Sequence, residues 1–224
     1  EIPLRLVGSE MCIRDSLNQL YSLYQVLLTA RHERGAIDFE TQETRIIFGT
    51  GRKIAEIRPT QRNDAHKLIE ECMLAANVAT AAFMQKHGIP ALYRVHDGPP
   101  PERLEKLKAF LGELGLSLHR GKSKDGPSPK DYQALLESIR GRDDYHLIQT
   151  VMLRSLSQAV YSADNQGHFG LNYDAYAHFT SPIRRYPDLL IHRAIRSVIR
   201  SKQDTPHVER CLLYTSDAAD DLLC

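Results

Sequence analysis

The chain has 224 residues, and its 29 Lys and Arg against 28 Asp and Glu give a net charge of +1. The 42% of hydrophobic and 25% of charged residues are ordinary for a globular protein with its own core. No run of 18 apolar residues occurs, which argues against a membrane span, and the start lacks the regions of a secretion signal. We therefore expect a cytoplasmic protein.

The two ends differ from the body of the chain. Three of the four cysteines lie in them, whereas Cys72 lies in the body, and residues 211–224 contain no Lys or Arg. Both ends resemble translated sequencing-adapter sequence, so residues 1–16 and 211–224 are predicted to be non-native. The remaining residues 17–210 have a mild basic bias, which is compatible with a polyanionic partner.

In chain order, the apolar residues from Leu17 onward recur at helical spacing and predict a helix that ends at Gly35. Residues 36–39 are strand-like. Residues 44–48 and 53–57 are rich in β-branched residues and flank a glycine-containing turn, which predicts a β-hairpin.

Helical and strand patterns alternate through the rest of the body. They predict a long helix over residues 62–86, a strand over 91–95, shorter helices over 102–114, 130–139 and 145–161, and a last helix over 189–199. The predicted fold class is α+β, rich in helices and with a small, mostly antiparallel sheet.

Residues 180–188 read Thr-Ser-Pro-Ile-Arg-Arg-Tyr-Pro-Asp. The Thr or Ser can cap a helix, and Pro182 suits the first helical position. A helix N-terminus together with the planar guanidinium groups of Arg184 and Arg185 favours phosphate oxygens. The alternative is a capped helix whose surface arginines pair with Asp188.

Motifs in four places resemble the ribonuclease II/R family, in the same order and spacing as in that family. They lie in residues 61–77, 94–99, 168–171 and 176–193. The resemblance covers residues 17–200 and identifies residues 17–210 as the larger, C-terminal part of an RNB catalytic domain. Several ordered matches are far more specific than any single tripeptide.

The resemblance implies an activity for the complete parent protein. Members of this family are magnesium-dependent 3′→5′ exoribonucleases that degrade single-stranded RNA processively to nucleoside 5′-monophosphates, including at the 3′ ends of structured RNA. A monomer is expected. The aspartates that bind magnesium in the family would precede Leu17, so no metal ligand is assigned in this chain. We interpret the aspartates of residues 217–221 as unrelated to that site.

The resemblance also implies roles for single residues. Arg184 matches the arginine that the family needs for phosphodiester cleavage, and Arg185 is a weaker candidate for contact with RNA or with the fold. Glu70 matches a glutamate that positions the RNA 3′ end, whereas Glu71 is interpreted as part of a polar helix face. Phe39 matches an aromatic that stacks on terminal bases, and a buried strand phenylalanine is an equal alternative.

Other residues could take part by their chemical type. Tyr93, with Arg94 and His96, suits RNA binding, although aromatic and histidine side chains on a strand also belong to a core or its rim. His178 could serve as a general base or a ligand, but no second ligand stands at metal spacing, so a structural role is preferred. For His192, which belongs to the same family segment, a role in packing or on the helix surface is at least an equal alternative.

Two other functional classes remain open. The chain can be a catalytically incomplete RNA-binding remnant that lacks the metal-binding aspartates. It can also be a general basic nucleic-acid module, although such a module does not explain the ordered motifs.

Overall fold

The computed structural model describes residues 4–39, 43–60, 62–118 and 126–200. Within these ranges, no helix combines the length and the apolar character that crossing a bilayer requires. The non-native end predicted at residues 211–224 lies outside them.

The described chain folds into two compact units. The first contains residues up to Glu33 and from Asp38 to Cys72, and the second contains Arg34–Ile37 and the residues from Met73 onward. Between them they hold the elements α1 (Leu4–Arg34), β1 (Glu43–Phe48), β2 (Ile54–Thr60), α2 (Asp64–Lys86), β3 (Tyr93–Val95), α3 (Pro101–Glu113), α4 (Pro129–Ser138), α5 (Tyr145–Ser155), β4 (Val160–Ser162) and α6 (Tyr186–Ile199).

The first unit contains α1 and the hairpin of β1 and β2. Helix α1 begins at Leu4, so the same helix passes through the residues predicted to be a non-native end. Its apolar side chains Leu17, Tyr21 and Leu23 are exposed, and Tyr24 is buried. The predicted end of the helix is confirmed, because Gly35 has a φ of +82°, a conformation that suits glycine.

The predicted hairpin is confirmed as well. Strands β1 and β2 pair antiparallel with Ile46 opposite Ile57, and the register shifts between Ile47 and Phe48. A short 3₁₀ turn over Thr50–Arg52 connects the strands.

The second unit is built around an apolar core. The buried residues of this core come from α2, β3, α6 and the segments between them, namely Ala81, Met84, Ile89, Ala91, Tyr93, Val95, Ala177, Ile191 and Ala194. Strand β3 pairs antiparallel with β4, and Arg94 stands opposite Tyr161. Side chains alternate along a strand, so Tyr93 and Val95 enter the core while Arg94 faces the other side.

Helices α3, α4 and α5 surround a second group of buried side chains in this unit, including Leu107, Leu111, Tyr132 and Met152. Helix α4 begins with a capping box, in which a carboxylate oxygen of Asp131 accepts a hydrogen bond from the backbone of Ser128 at 2.7 Å. The predicted α+β class with small antiparallel sheets is confirmed.

Two predicted elements are wrong. The helix predicted over 145–161 ends at Ser155, because Val160–Ser162 pair with β3 instead of continuing the helix. Residues 36–39 form no strand. Their backbone is irregular, and the amide of Ile37 donates a hydrogen bond to the carbonyl of Gly170 at 2.9 Å.

Candidate functional site

A tight turn leads into helix α6. The carbonyl of Ser181 accepts hydrogen bonds from the amides of Arg184 and Arg185 at 3.3 and 3.1 Å, and α6 then begins at Tyr186. The predicted cap at Thr180 or Ser181 with a helical Pro182 is therefore wrong. Pro187 takes the early helical position instead, where its missing amide hydrogen leaves no bond unmade.

Asp188 holds this turn closed. It is fully buried, and its Oδ1 accepts from the amide of Ser181 and from Nη2 of Arg185, both at 2.8 Å. One carboxylate thereby connects the start of the turn to its end. A buried carboxylate requires such partners, so this arrangement fixes the backbone on either side of Arg184.

The two arginines of the turn have different environments. Arg185 is largely buried and forms the ion pair with Asp188. Arg184 is exposed, and in the described part of the chain no carboxylate lies within ion-pair distance of it. The alternative interpretation of arginines paired with Asp188 thus describes Arg185 but not Arg184.

A basic and aromatic face lies on the pair of β3 and β4, on the side opposite the core. The guanidinium carbon of Arg94 stands 4.7 Å from the centre of the Tyr161 ring. The Tyr161 hydroxyl is 2.6 Å from Nδ1 of His178. This face was only partly foreseen, since the sequence marked Arg94 and His178 but gave no sign of Tyr161.

The ring of His178 is neutral in this network. Its pKa is lowered to about 4, most of all by burial and also by the charges of Arg185, Arg94 and Arg184, while Asp188 opposes them. The neutral ring shares a hydrogen bond with the Tyr161 hydroxyl through Nδ1. This geometry agrees with a structural role for His178.

The segment before the turn is held by Asn77 of helix α2. Its Oδ1 accepts from the amide of Phe179 at 2.9 Å, and its Nδ2 donates to the buried Tyr176 hydroxyl at 2.8 Å. His192 stacks on Phe179 with ring centres 4.1 Å apart and bonds the Phe179 carbonyl. Asn77 was part of a sequence motif, but its partners lie about a hundred positions away and left no local signal.

Tyr93 does not belong to this face. Only 7% of it is exposed, it packs in the core of the second unit, and burial raises its pKa. The side chain predicted to bind RNA therefore lies in the core, the position that the alternative prediction gives it.

In the first unit, Glu70 lies within a group of charged side chains. Its carboxylate is half-buried and pairs with Arg62 and, at 3.2 Å, with Arg31. Arg31 also pairs with Asp38 at 3.0 Å and with Glu71 at 2.5 Å. Its guanidinium is nearly buried, and these carboxylates raise its pKa.

The interpretation of Glu71 as part of a polar helix face is wrong. Only 5% of Glu71 is exposed, since its carboxylate turns inward to meet Arg31. Phe39 lies in the irregular segment after Ile37 and is half-buried, so it is not the buried strand phenylalanine considered above.

The described residues contain no group of three or more His, Cys, Asp or Glu side chains that could hold a metal ion. Hard cations such as Mg²⁺ need several converging oxygen ligands, and Asp188 and Glu71 are already paired with arginines. These residues do not fit a magnesium site. Residues 217–221 lie outside the described ranges.

Comparison with known proteins shows the family to which the chain belongs. The RNB domain family model matches residues 5–201. Ribonuclease R of Vibrio cholerae is 58% identical over 194 residues, which cover 87% of this chain and 23% of that protein. The chain therefore spans about a quarter of that relative's length.

Two solved structures have the same fold. Mycoplasma genitalium RNase R in complex with ribose-methylated single-stranded RNA has a TM-score of 0.82 and 28% identity, over 92% of this chain and 32% of that one. The complex of the same enzyme with double-stranded RNA has a TM-score of 0.83 and 28% identity, over 92% of this chain and 36% of that one.

The chain belongs to the RNB domain family. The resemblance inferred from the motifs is confirmed, and the relative and the solved structures described here are ribonuclease R proteins.

Proposed function

We propose that the chain is the phosphate-binding part of a 3′→5′ exoribonuclease. In the complete protein, a cytoplasmic monomer, it serves the processive release of nucleoside 5′-monophosphates from single-stranded RNA, including the 3′ ends of structured RNA. One observation carries this proposal. The turn before α6 is fixed by a buried ion pair and yet presents Arg184 to solvent without a carboxylate partner among the described residues.

Arg184 is proposed to bind the scissile phosphate and to stabilise the charge that develops on its oxygens during cleavage. A guanidinium suits this role because its planar donors match two phosphate oxygens. Arg185 contributes indirectly, since its pair with Asp188 holds the turn from which Arg184 projects. A preorganised donor loses little entropy when the transition state forms.

Glu70 and Phe39 are proposed to hold the RNA end. The Glu70 carboxylate is oriented by Arg31 and Arg62 and still has 35% of its side chain exposed, so it can accept hydrogen bonds from ribose hydroxyls. The partly exposed ring of Phe39 offers a stacking surface, which contributes about 1–3 kcal/mol per base in any sequence.

Cleavage in the complete protein is proposed to require a divalent metal, magnesium, which would activate water and neutralise phosphate charge. The described residues do not provide its ligands. The contribution proposed for this chain is therefore confined to binding the phosphate and orienting the RNA.

The test uses a chimera in which this chain replaces the matched segment of Vibrio cholerae ribonuclease R. Arg184→Ala is expected to lower kcat on single-stranded RNA by about 100–1,000-fold, because a donor to the transition state is lost. Arg140→Ala, at an exposed arginine outside the turn, is the control. Unchanged turnover of Arg184→Ala at equal RNA binding would contradict the proposed role.

A second candidate is a catalytically incomplete RNA-binding remnant, and the absence of a metal-binding group among the described residues favours it. It predicts that the 224-residue chain alone binds single-stranded RNA but releases no mononucleotide in the presence of Mg²⁺. Magnesium-dependent release of mononucleotides by this polypeptide would rule it out.

A further inference from the structure

Arg94 lies on a short strand and stacks on an aromatic ring, a contact that the sequence did not predict. It lies on β3 between two core residues, and its side chain crosses to Tyr161 on β4, which stands opposite it in register. The guanidinium lies 4.7 Å from the centre of the ring, within the range of a cation–π contact. The Tyr161 hydroxyl is fixed in turn by His178.

The charges around this face do not balance. The charges of Arg94, Arg184 and Arg185 lower the pKa of both His178 and Tyr161, and the carboxylate of Asp188 raises it. Asp188 is already bonded to Arg185 and to the amide of Ser181. Across the described ranges, neither Arg94 nor Arg184 has a carboxylate within ion-pair distance.

We propose that Arg94 and Arg184 form a two-arginine site for the RNA backbone, in which each arginine binds a different phosphate. The site rests on the function proposed above and adds a second contact to it. Arg94 is the residue newly assigned to this site, and its guanidinium is positioned by the ring of Tyr161.

The stacked geometry suits a phosphate ligand. An arginine that lies over an aromatic ring keeps the N–H donors at the edge of its guanidinium free, and these donors match phosphate oxygens in pairs. The bond from Tyr161 to His178 limits the motion of the ring, so Arg94 loses little further freedom when it binds. A lysine would keep the charge but neither the fork nor the stacking.

The test measures binding of a fluorescein-labelled oligoadenylate to the 224-residue chain by anisotropy at several salt concentrations. Each phosphate contact contributes about 0.7 to the slope of log K against log salt for single strands. Arg94→Gln and Arg184→Gln are each expected to reduce the slope by about 0.7, and the double variant by about 1.4. Each single variant is expected to weaken binding by about tenfold at moderate salt.

Arg140→Gln is the matched control, and we expect it to retain the slope and affinity of the unmodified chain. Circular dichroism and thermal unfolding check that each variant is folded. If Arg94→Gln is unfolded, Arg94→Lys replaces it, and this variant is expected to keep the slope and to bind more weakly. Binding by Arg94→Lys as tight as that of the unmodified chain would then overturn the proposal.

The remaining outcomes separate the two proposals. If Arg184→Gln loses slope and affinity while Arg94→Gln behaves like the unmodified chain, the two-arginine site is wrong and the proposed function stands. If only Arg94→Gln is affected, the pairing with Arg184 is overturned. An unmodified chain that does not bind the oligoadenylate overturns the site and the phosphate-binding role together.

Discussion

Arg184 and Arg185 are neighbours in sequence, and the structure gives them different tasks. Arg185 is committed to a fully buried aspartate, while Arg184 is left exposed on the turn that this pair stabilises. Removing one member of a buried ion pair leaves the other charge without compensation, which is far more destabilising than losing a surface pair. Asp188 is therefore the most sensitive position of the turn.

We predict that Asp188→Ala destabilises the second unit by about 3–5 kcal/mol, because Arg185 and the amide of Ser181 both lose their acceptor. Asp188→Asn keeps an acceptor oxygen and is expected to be milder. Urea unfolding measures both. Asp144→Ala, which breaks the surface pair with Arg142, serves as the control, and an equal effect of the two alanine variants would contradict the prediction.

Single-residue environments show where sequence reasoning reached its limit. Arg184 was singled out as a candidate by the motif of residues 180–188, and the structure shows that its side chain is exposed. The burial of Glu71 was missed, because its partner Arg31 lies forty positions earlier and helical spacing does not reveal a long-range ion pair. Tyr93 was assigned to RNA by residue type alone, although strand alternation places it in the core.

At the scale of elements, His96 and His168 hold the loop that contains Gly170 against the end of strand β3. The His96 ring bonds the carbonyl of Ser157 through Nε2 at 2.8 Å and accepts the amide of Gly170 at Nδ1 at 2.9 Å. His168 packs 4.9 Å from His96, ring centre to ring centre. Both ring nitrogens of His96 are in use, so this side chain has little room to move.

We predict that Gly170→Ala destabilises the second unit by about 1–3 kcal/mol, because overpacking forces fixed neighbours apart. An added Cβ would lie 3.0 Å from Nδ1 and 3.1 Å from Cε1 of His96, which is held on both sides. Gly112→Ala is the matched control. It lies within α3 with no heavy atom within 4 Å of the added carbon, and we expect it to stabilise by about 0.4–1 kcal/mol. Thermal unfolding measures both changes in stability, which are expected to have opposite signs.

The elements that were predicted correctly are those whose signals are local. The hairpin, the long helix α2 and the glycine that ends α1 follow from periodicity and turn residues. Strand β4 was missed because apolar spacing continued the preceding helix to Val160, and only pairing with β3 reveals the strand. The start of α6 was misplaced for a similar reason, since a sequence window does not reveal the hydrogen bond that the Ser181 amide donates to Asp188.

At the scale of the whole molecule, three buried or partly buried histidines of the second unit link its stability to pH. Burial lowers the pKa of His168 to about 3, with a further contribution from His96, and that of His178 to about 4. The pKa of His96 is lowered by the same cause. Each of these rings is neutral in the folded state and takes up a proton more readily once the chain unfolds.

We predict that the free energy of unfolding is constant above about pH 6.5 and falls as the pH drops towards 4, because the unfolded chain then binds more protons. Each histidine contributes at most about 1.4 kcal/mol per pH unit in that window. Urea unfolding between pH 4.5 and 7.5 measures the slope. His178→Gln is expected to reduce the slope by the contribution of one proton, whereas His146→Gln, at an exposed histidine, is expected to leave the slope unchanged. A slope unaffected by His178→Gln would contradict the assignment.

The division of labour between the two adjacent arginines offers a criterion for telling working nucleases from inactive descendants of the same fold. A protein that keeps Asp188 and Arg185 but has lost Arg184 would still form the turn and fold normally, and under the proposed function it would no longer cleave RNA. The reverse pattern, with Arg184 kept and Asp188 lost, would mark a gene in decay. Positions 184 and 188 would thus record separately whether selection maintains the chemistry or the fold.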